Sequence, residues 1–134
     1  KDETLAGIAA KSLKEARYHV RHAGEWVIRL GDGTAESHRR AQEAVTALWP
    51  YTGELFMQRA DEAELVAAGI TADVSLLEPA WKAQVADVLR RATLSAPETA
   101  WMQRGGRDGT HTEHLGHLLA EMQIVARSHP GAKW

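Results

Sequence analysis

"LAGIAAKSLKEARYHVRHAGEWVIRLGDGT", residues 5–34, carries the strongest helical signal in the chain. Leu5, Ile8, Ala9, Ala16, Val20, Ala23, Val27 and Leu30 recur at the spacing of one helix face. Gly31-Asp32-Gly33-Thr34 then breaks the pattern. Gly31 suits a left-handed C-terminal cap, and the Thr34 hydroxyl can accept from an amide of the next helix. So short a connection predicts an antiparallel helical hairpin, with Ala16, Ala23, Val27 and Leu30 on its inner face.

Helical signals continue outward from this hairpin. A second helix is expected over residues 35–57, interrupted near Trp49 because Pro50 lacks a backbone donor. Asp61 and Glu64 have capping-box spacing ahead of a short helix that stops at Gly69. Ser75 and Glu78 repeat the spacing ahead of a longer helix reaching residue 94, with Pro79 in its first turn, where a missing amide costs little. Residues 95–111 read as a loop centred on Gly105-Gly106-Arg107-Asp108-Gly109, and residues 112–127 as a last helix. No segment alternates as a strand would. The pattern predicts an all-α helical bundle forming a single domain over residues 1–134.

Composition narrows the function classes. The 134 residues suffice for one domain with a core, and 44% hydrophobic with 25% charged residues is ordinary for a globular protein. Sixteen basic and 18 acidic residues are well mixed, which gives no pull toward a phosphate backbone and argues against nucleic acid. The chain has no cysteine, so disulfides and thiolate sites are excluded and the cytoplasm is the expected compartment. No apolar run approaches the roughly 20 residues that cross a bilayer. The chain starts at Lys1 without methionine and enters helix almost at once, as expected for the C-terminal portion of a longer protein.

Carboxylates and imidazoles are the usual ligands of iron, manganese and zinc, and two stretches carry both. In "KEARYHVRH", Glu15, His19 and His22 fall within about 60° of one another on the first helix. Glu15 and His19 are one turn apart, but Glu15 and His22 are separated by about 10 Å along the axis and cannot share an ion. Two readings stand: a hydrogen-bonded polar row at a helix interface, or a single metal ion. In "HTEHLGHLLAEMQ", Glu113, His117 and Glu121 recur every four residues, and a metal there would need ligands from a second element. The plainer reading buries Leu115, Leu118, Leu119, Met122 and Val125 and leaves the histidines and acids at the margin. Bridged di-iron bundles use Glu-x-x-His pairs, and no glutamate of this chain has histidine three residues on. The glycine loop lacks the Gly-Lys-Ser/Thr ending of a nucleotide loop, which leaves Arg104 or Arg107 as weak anion candidates. Trp101 and Trp134 lie in irregular segments and suit packing or a partner. No catalytic residue and no cofactor-binding residue stands out.

Longer stretches carry a resemblance. "AKSLKEARYHVRHAGEWVIRLGDGTAESHRR" (residues 10–40), "LWPYTGELF" (residues 48–56) and "GGRDGTHTEHLGHLLAEMQIVARSHPGAKW" (residues 105–134) resemble the C subunits of bacterial phenylacetyl-CoA 1,2-epoxidases. The resemblance runs over nearly the whole chain and implies a ferritin-like helical bundle, of which this chain is the C-terminal half. It further implies a non-catalytic scaffold that holds no metal, paired with a catalytic A subunit that carries the di-iron centre. Where a di-iron relative has Glu-x-x-His, this chain has Glu15-Ala-Arg-Tyr18, with Lys14 and Arg17 placed to neutralise Glu15. The competing expectation is a metal-binding ferritin-like oxidoreductase acting in its own right. Self-association through the seam left by the other half is expected of this chain alone.

Overall fold

The computed structural model describes residues 2–98 and 101–133. Five α-helices run in the order α1 (Glu3–Gly31), α2 (Ala35–Leu48), α3 (Ala60–Ala67), α4 (Glu78–Arg91) and α5 (Glu113–Ser128). Short 3₁₀ segments stand at Trp49–Phe56, Val74–Leu77 and Gly106–Asp108. Among the described residues there is no strand, and the fold is all-α as the ferritin-like resemblance implies. No helix among them is long and apolar enough to cross a membrane. The chain divides into two compact units, residues 1–102 and 103–134.

In the first unit, helix ends follow local chemistry. Asp2 caps α1 by accepting from the Leu5 amide at 2.9 Å. Thr34 caps α2 by accepting from the Ser37 amide at 3.2 Å, as its position predicts. Pro50 ends the α-helical hydrogen bonding at Leu48, and the chain continues as the 3₁₀ turn Trp49–Phe56. Two expected caps are shifted. Helix α3 starts two residues early, because the Glu62 carboxylate accepts from the Arg59 amide at 2.8 Å and Asp61 lies inside the first turn. Ahead of α4, Asp73 and not Ser75 is the capping residue, and it caps the 3₁₀ turn Val74–Leu77, while α4 itself starts at Glu78 without a side-chain cap. The Asp73 carboxylate accepts from the Ser75 amide at 2.9 Å and from the Ser75 hydroxyl at 2.6 Å. Pro79 sits in the first turn of α4 as predicted.

Helices α3 and α4 both end in Schellman turns, where a left-handed residue lets two amides reach back to free carbonyls. Gly69 takes that position after α3, with φ 69°, and the Ile70 amide reaches Leu65 O at 2.9 Å. After α4 it is Thr93, with φ 57°, and the Leu94 amide reaches Leu89 O at 2.9 Å. A threonine is costly there, because a branched Cβ crowds the backbone. Its hydroxyl offsets part of that cost by donating to Gly31 O at 3.3 Å.

These ends bring α4 against the hairpin. Helix α1 packs on both α2 and α4. The buried hydrophobic residues among those described, Leu89, Ala92 and Leu94, lie where α4 ends, ringed by Val27, Ile28, Ala41, Val45, Trp49 and Val85. Trp81 tilts against Trp49 and Phe56, at ring separations of 6.0 and 5.3 Å, and ties the 3₁₀ turn to α4.

The hairpin closes differently from the sequence expectation. Gly31 is not a left-handed cap. It is the buried last residue of α1, and Asp32 follows as the C-cap. Gly24, Val27, Ile28 and Gly31, spaced i, i+3, i+4 and i+7, form the more buried side of α1, whereas Ala16, Ala23 and Leu30 are exposed. In the second unit, Leu115 is half-buried, but Leu118, Leu119, Met122 and Val125 are exposed, Met122 at 70%. The face of α5 expected to be buried is therefore open.

Candidate interaction surface

The histidine and glutamate clusters are placed first. Glu15, His19 and His22 lie on α1 with exposed side chains, so the polar row is not at a helix interface of this chain. His22 stacks on Tyr18 at 5.8 Å with ring planes 17° apart, and meets the edge of Trp26 at 6.4 Å. His19 meets the edge of Tyr18 at 6.0 Å. Glu15 forms no ion pair among the described residues, so neutralisation by Lys14 or Arg17 is not what the structure places there. On α5, Glu113 is the first helical residue, where a carboxylate suits the positive end of the helix dipole, and His117 is exposed one turn on. Among the described residues no three His, Asp or Glu side chains converge as a metal ion requires. The donors present do not fit a di-iron centre, and no step is assigned to one in this chain.

The glycine loop does not fit a phosphate either. Gly105 and Gly109 have φ of 94° and 91°, as left-handed turn positions demand. The amides of Asp108 and Thr110 bond Gly105 O at 3.0 and 2.8 Å, and that of Gly109 bonds Gly106 O. Amides that would cradle an anion are thus used inside the turn. Trp101 is 62% exposed, as suits a partner contact, and Trp134 lies outside the described residues.

What the first unit does present is an open apolar groove of about 540 Å³. Ala23, Val27 and Leu30 of α1, Val45 of α2, and Val85 and Val88 of α4 line it. None of its lining residues is charged, and Thr52 already bonds Trp49 O at 2.8 Å. With Gln84 and Thr52 as its polar side chains, the groove has little to offer a hydrophilic ligand and much to gain from apolar side chains.

Sequence periodicity finds Ala23, Val27 and Leu30, but it does not find Val85 and Val88, which reach the groove only through the α1–α4 contact. It also gives Tyr18 no role beyond a vacant ligand slot.

Comparison with known proteins gives the family. The chain is 45% identical over 136 residues to the C subunit of the 1,2-phenylacetyl-CoA epoxidase of Escherichia coli strain K12, an alignment that covers all of this chain and 54% of that protein. It spans about half the length of the curated relative it matches. The family model described as phenylacetic acid catabolic protein matches residues 1–134. A family match over the whole chain and a relative 45% identical over all of it agree: this chain belongs to the phenylacetic acid catabolic protein family.

Proposed function

We propose that this chain is part of a non-catalytic structural subunit of a multicomponent phenylacetyl-CoA epoxidase, acting in aerobic phenylacetate catabolism in the cytoplasm. In this reading it supports a catalytic A subunit, which carries the di-iron centre, and contributes no metal ligand and no catalytic group of its own. The observation that carries the reading is the uncharged groove, set beside an α1 on which Tyr18 stands where a ligand histidine is needed. Inward carboxylates without a cation are costly to bury, so a protein kept for support lines its seam with uncharged side chains. Taken alone, the chain self-associates through the same surface.

The competing reading is a metal-binding ferritin-like oxidoreductase acting by itself. Its one support is Glu15 and His19, a turn apart on one exposed face. Co-purification of the full-length protein with the catalytic subunit tests the proposal. A stable complex with one copy of each chain is expected. Two chains that elute separately at micromolar concentration overturn it.

A further inference from the structure

A second cavity, of about 550 Å³, lies between α1 and α4 and is within the size range of small-molecule sites. Leu13, Ala16, Val20 and Ile28 of α1 and Val88 of α4 supply its apolar surface. Its charged lining is Arg17, Arg21 and Glu25 of α1 with Asp87 and Arg91 of α4. At about 100° per residue, Arg17, Arg21 and Ile28 fall within about 40° of one another on one flank of Gly24, and Ala23, Val27 and Leu30 of the uncharged groove fall on the other. The cavity and the groove meet at Val20, Gly24, Gln84 and Val88 but differ in chemistry.

The pairing of its charges decides what this cavity can take. On α2 and at the start of α4, cations pair with a carboxylate one turn away, Arg39 with Glu36 at 2.9 Å and Glu43 at 2.7 Å, and Lys82 with Glu78 at 2.7 Å. Around the cavity they do not. Among the described residues Arg17 forms no ion pair, and Glu25 pairs with no cation although Arg21 is one turn away. Arg21 instead lies over the Tyr18 ring, 5.8 Å from its centre, which leaves its N–H edge to donate. Arg91 reaches Asp87 only at 3.7 Å, and the other oxygen of Asp87 is taken by Arg90. Three guanidinium groups thus face two carboxylates, one of them already shared with Arg90.

Guanidinium groups bind carboxylate and phosphate oxygens in pairs of hydrogen bonds, and their weak hydration suits them to apolar surroundings. Hydrocarbon laid on Val20 and Val88 leaves water at the same time. Neither a neutral hydrocarbon nor a bare anion uses both parts. We infer that the cavity between α1 and α4 is a binding site for a small organic anion, a carboxylate or phosphate carried on an apolar body. Its head accepts hydrogen bonds from Arg17 and Arg21, one turn apart on α1, with Arg91 adding positive charge from α4, and its body lies on Val20 and Val88. The site requires no metal and no partner subunit, so it goes beyond the function proposed above and stands or falls independently of it.

The test titrates the full-length protein with hexanoate and with hexyl phosphate and follows backbone amide chemical shifts. Saturable binding of at least one is expected, with shifts concentrated in residues 17–28 and 84–91. 1-Hexanol and inorganic phosphate, which carry one part each, are expected to bind at least about tenfold more weakly than the better anion, which identifies the head group. R17Q/R21Q should lower that affinity at least about fivefold, and R29Q, on the same helix outside the cavity, less than about twofold. The Arg17 and Arg21 side chains are exposed, so the double variant keeps its fold. Four results each overturn the inference and leave the proposed function standing: no saturable binding of either anion at millimolar concentration, 1-hexanol or phosphate within tenfold of the better anion, a loss below fivefold in R17Q/R21Q, or an equal loss in R29Q.

Discussion

Gly31 lies against Ala92 so closely that a Cβ built on it would fall 2.3 Å from the Ala92 carbonyl oxygen and 2.8 Å from the Ala92 Cβ. This is where the end of α1 meets the end of α4, and backbone cannot move aside as a flexible side chain can. Gly31→Ala should therefore destabilise the protein by about 1–3 kcal/mol from overpacking, less the few tenths to about 1 kcal/mol that alanine gains in a helix. Gly7, with nothing within 4 Å of its added Cβ, gives the opposite sign. Gly7→Ala should stabilise by about 0.5–1 kcal/mol. Urea unfolding of both variants checks the pair, and a Gly31→Ala protein as stable as wild type would refute the close approach.

Gln42 and Ser95 exchange two hydrogen bonds across 53 residues of sequence, amide to backbone oxygen at 2.8 Å and backbone amide to side-chain oxygen at 2.9 Å. They fasten the segment after α4 to α2. Gln42→Ala removes both and should cost about 1–2 kcal/mol. Faster hydrogen exchange at the Ser95 amide, with α1 amides unchanged, is the expected local signature.

Glu36 gives a pH dependence. Its carboxyl is held below the usual range, first by hydrogen bonds from Arg39 and then by those from Arg40. A carboxyl lowered in the folded state contributes stability above its unfolded pKa, and that contribution disappears as pH falls through its folded pKa. The exposure of Glu36 keeps the effect small and sensitive to salt. Glu36→Gln should melt slightly below wild type at neutral pH and low salt, and the gap should close in acid and in high salt. A gap independent of pH would show that the pairing with Arg39 and Arg40 does not matter.

The groove predicts association. Sedimentation of the 134-residue chain at micromolar concentration should show species heavier than its 14.7 kDa monomer, and Ala23→Leu, which fills part of the groove, should weaken that association. Because Ala23 is exposed in this chain, the same substitution should alter its unfolding free energy by no more than about 0.5 kcal/mol. A monodisperse monomer that binds no hydrophobic dye would contradict an open apolar face.

Much of the fold is legible because its stops are local. Pro50, Gly69 and Pro79 act through their own backbone and Thr34 through its own hydroxyl, and each does what its residue type predicts. The errors arise where a second element decides. A glycine after the last periodic residue reads equally as a left-handed cap or as a point of close approach, and only Ala92 shows that Gly31 is the latter. Periodicity yields an apolar stripe on α1 but not which flank meets α4, so it puts Ala16 and Ala23 inside and misses Gly24 and Ile28. The cap of α3 escapes pattern reading because it uses the Arg59 amide, which no residue type advertises. The stacking of His22 on Tyr18 and its edge contact with Trp26 follow from i, i+4 spacing, and ligand spacing alone obscures them.

Iron content of the full-length protein separates a scaffold from an oxidoreductase in one experiment. The protein is purified aerobically, supplied with ferrous iron, freed of excess metal and analysed for iron per chain, by itself and in complex with its catalytic partner. No stoichiometric iron is expected on this protein alone, and all iron of the complex should stay with the partner after separation. One or more tightly held irons per chain on the isolated protein, lost when Glu15 is changed to alanine, would overturn the scaffold reading.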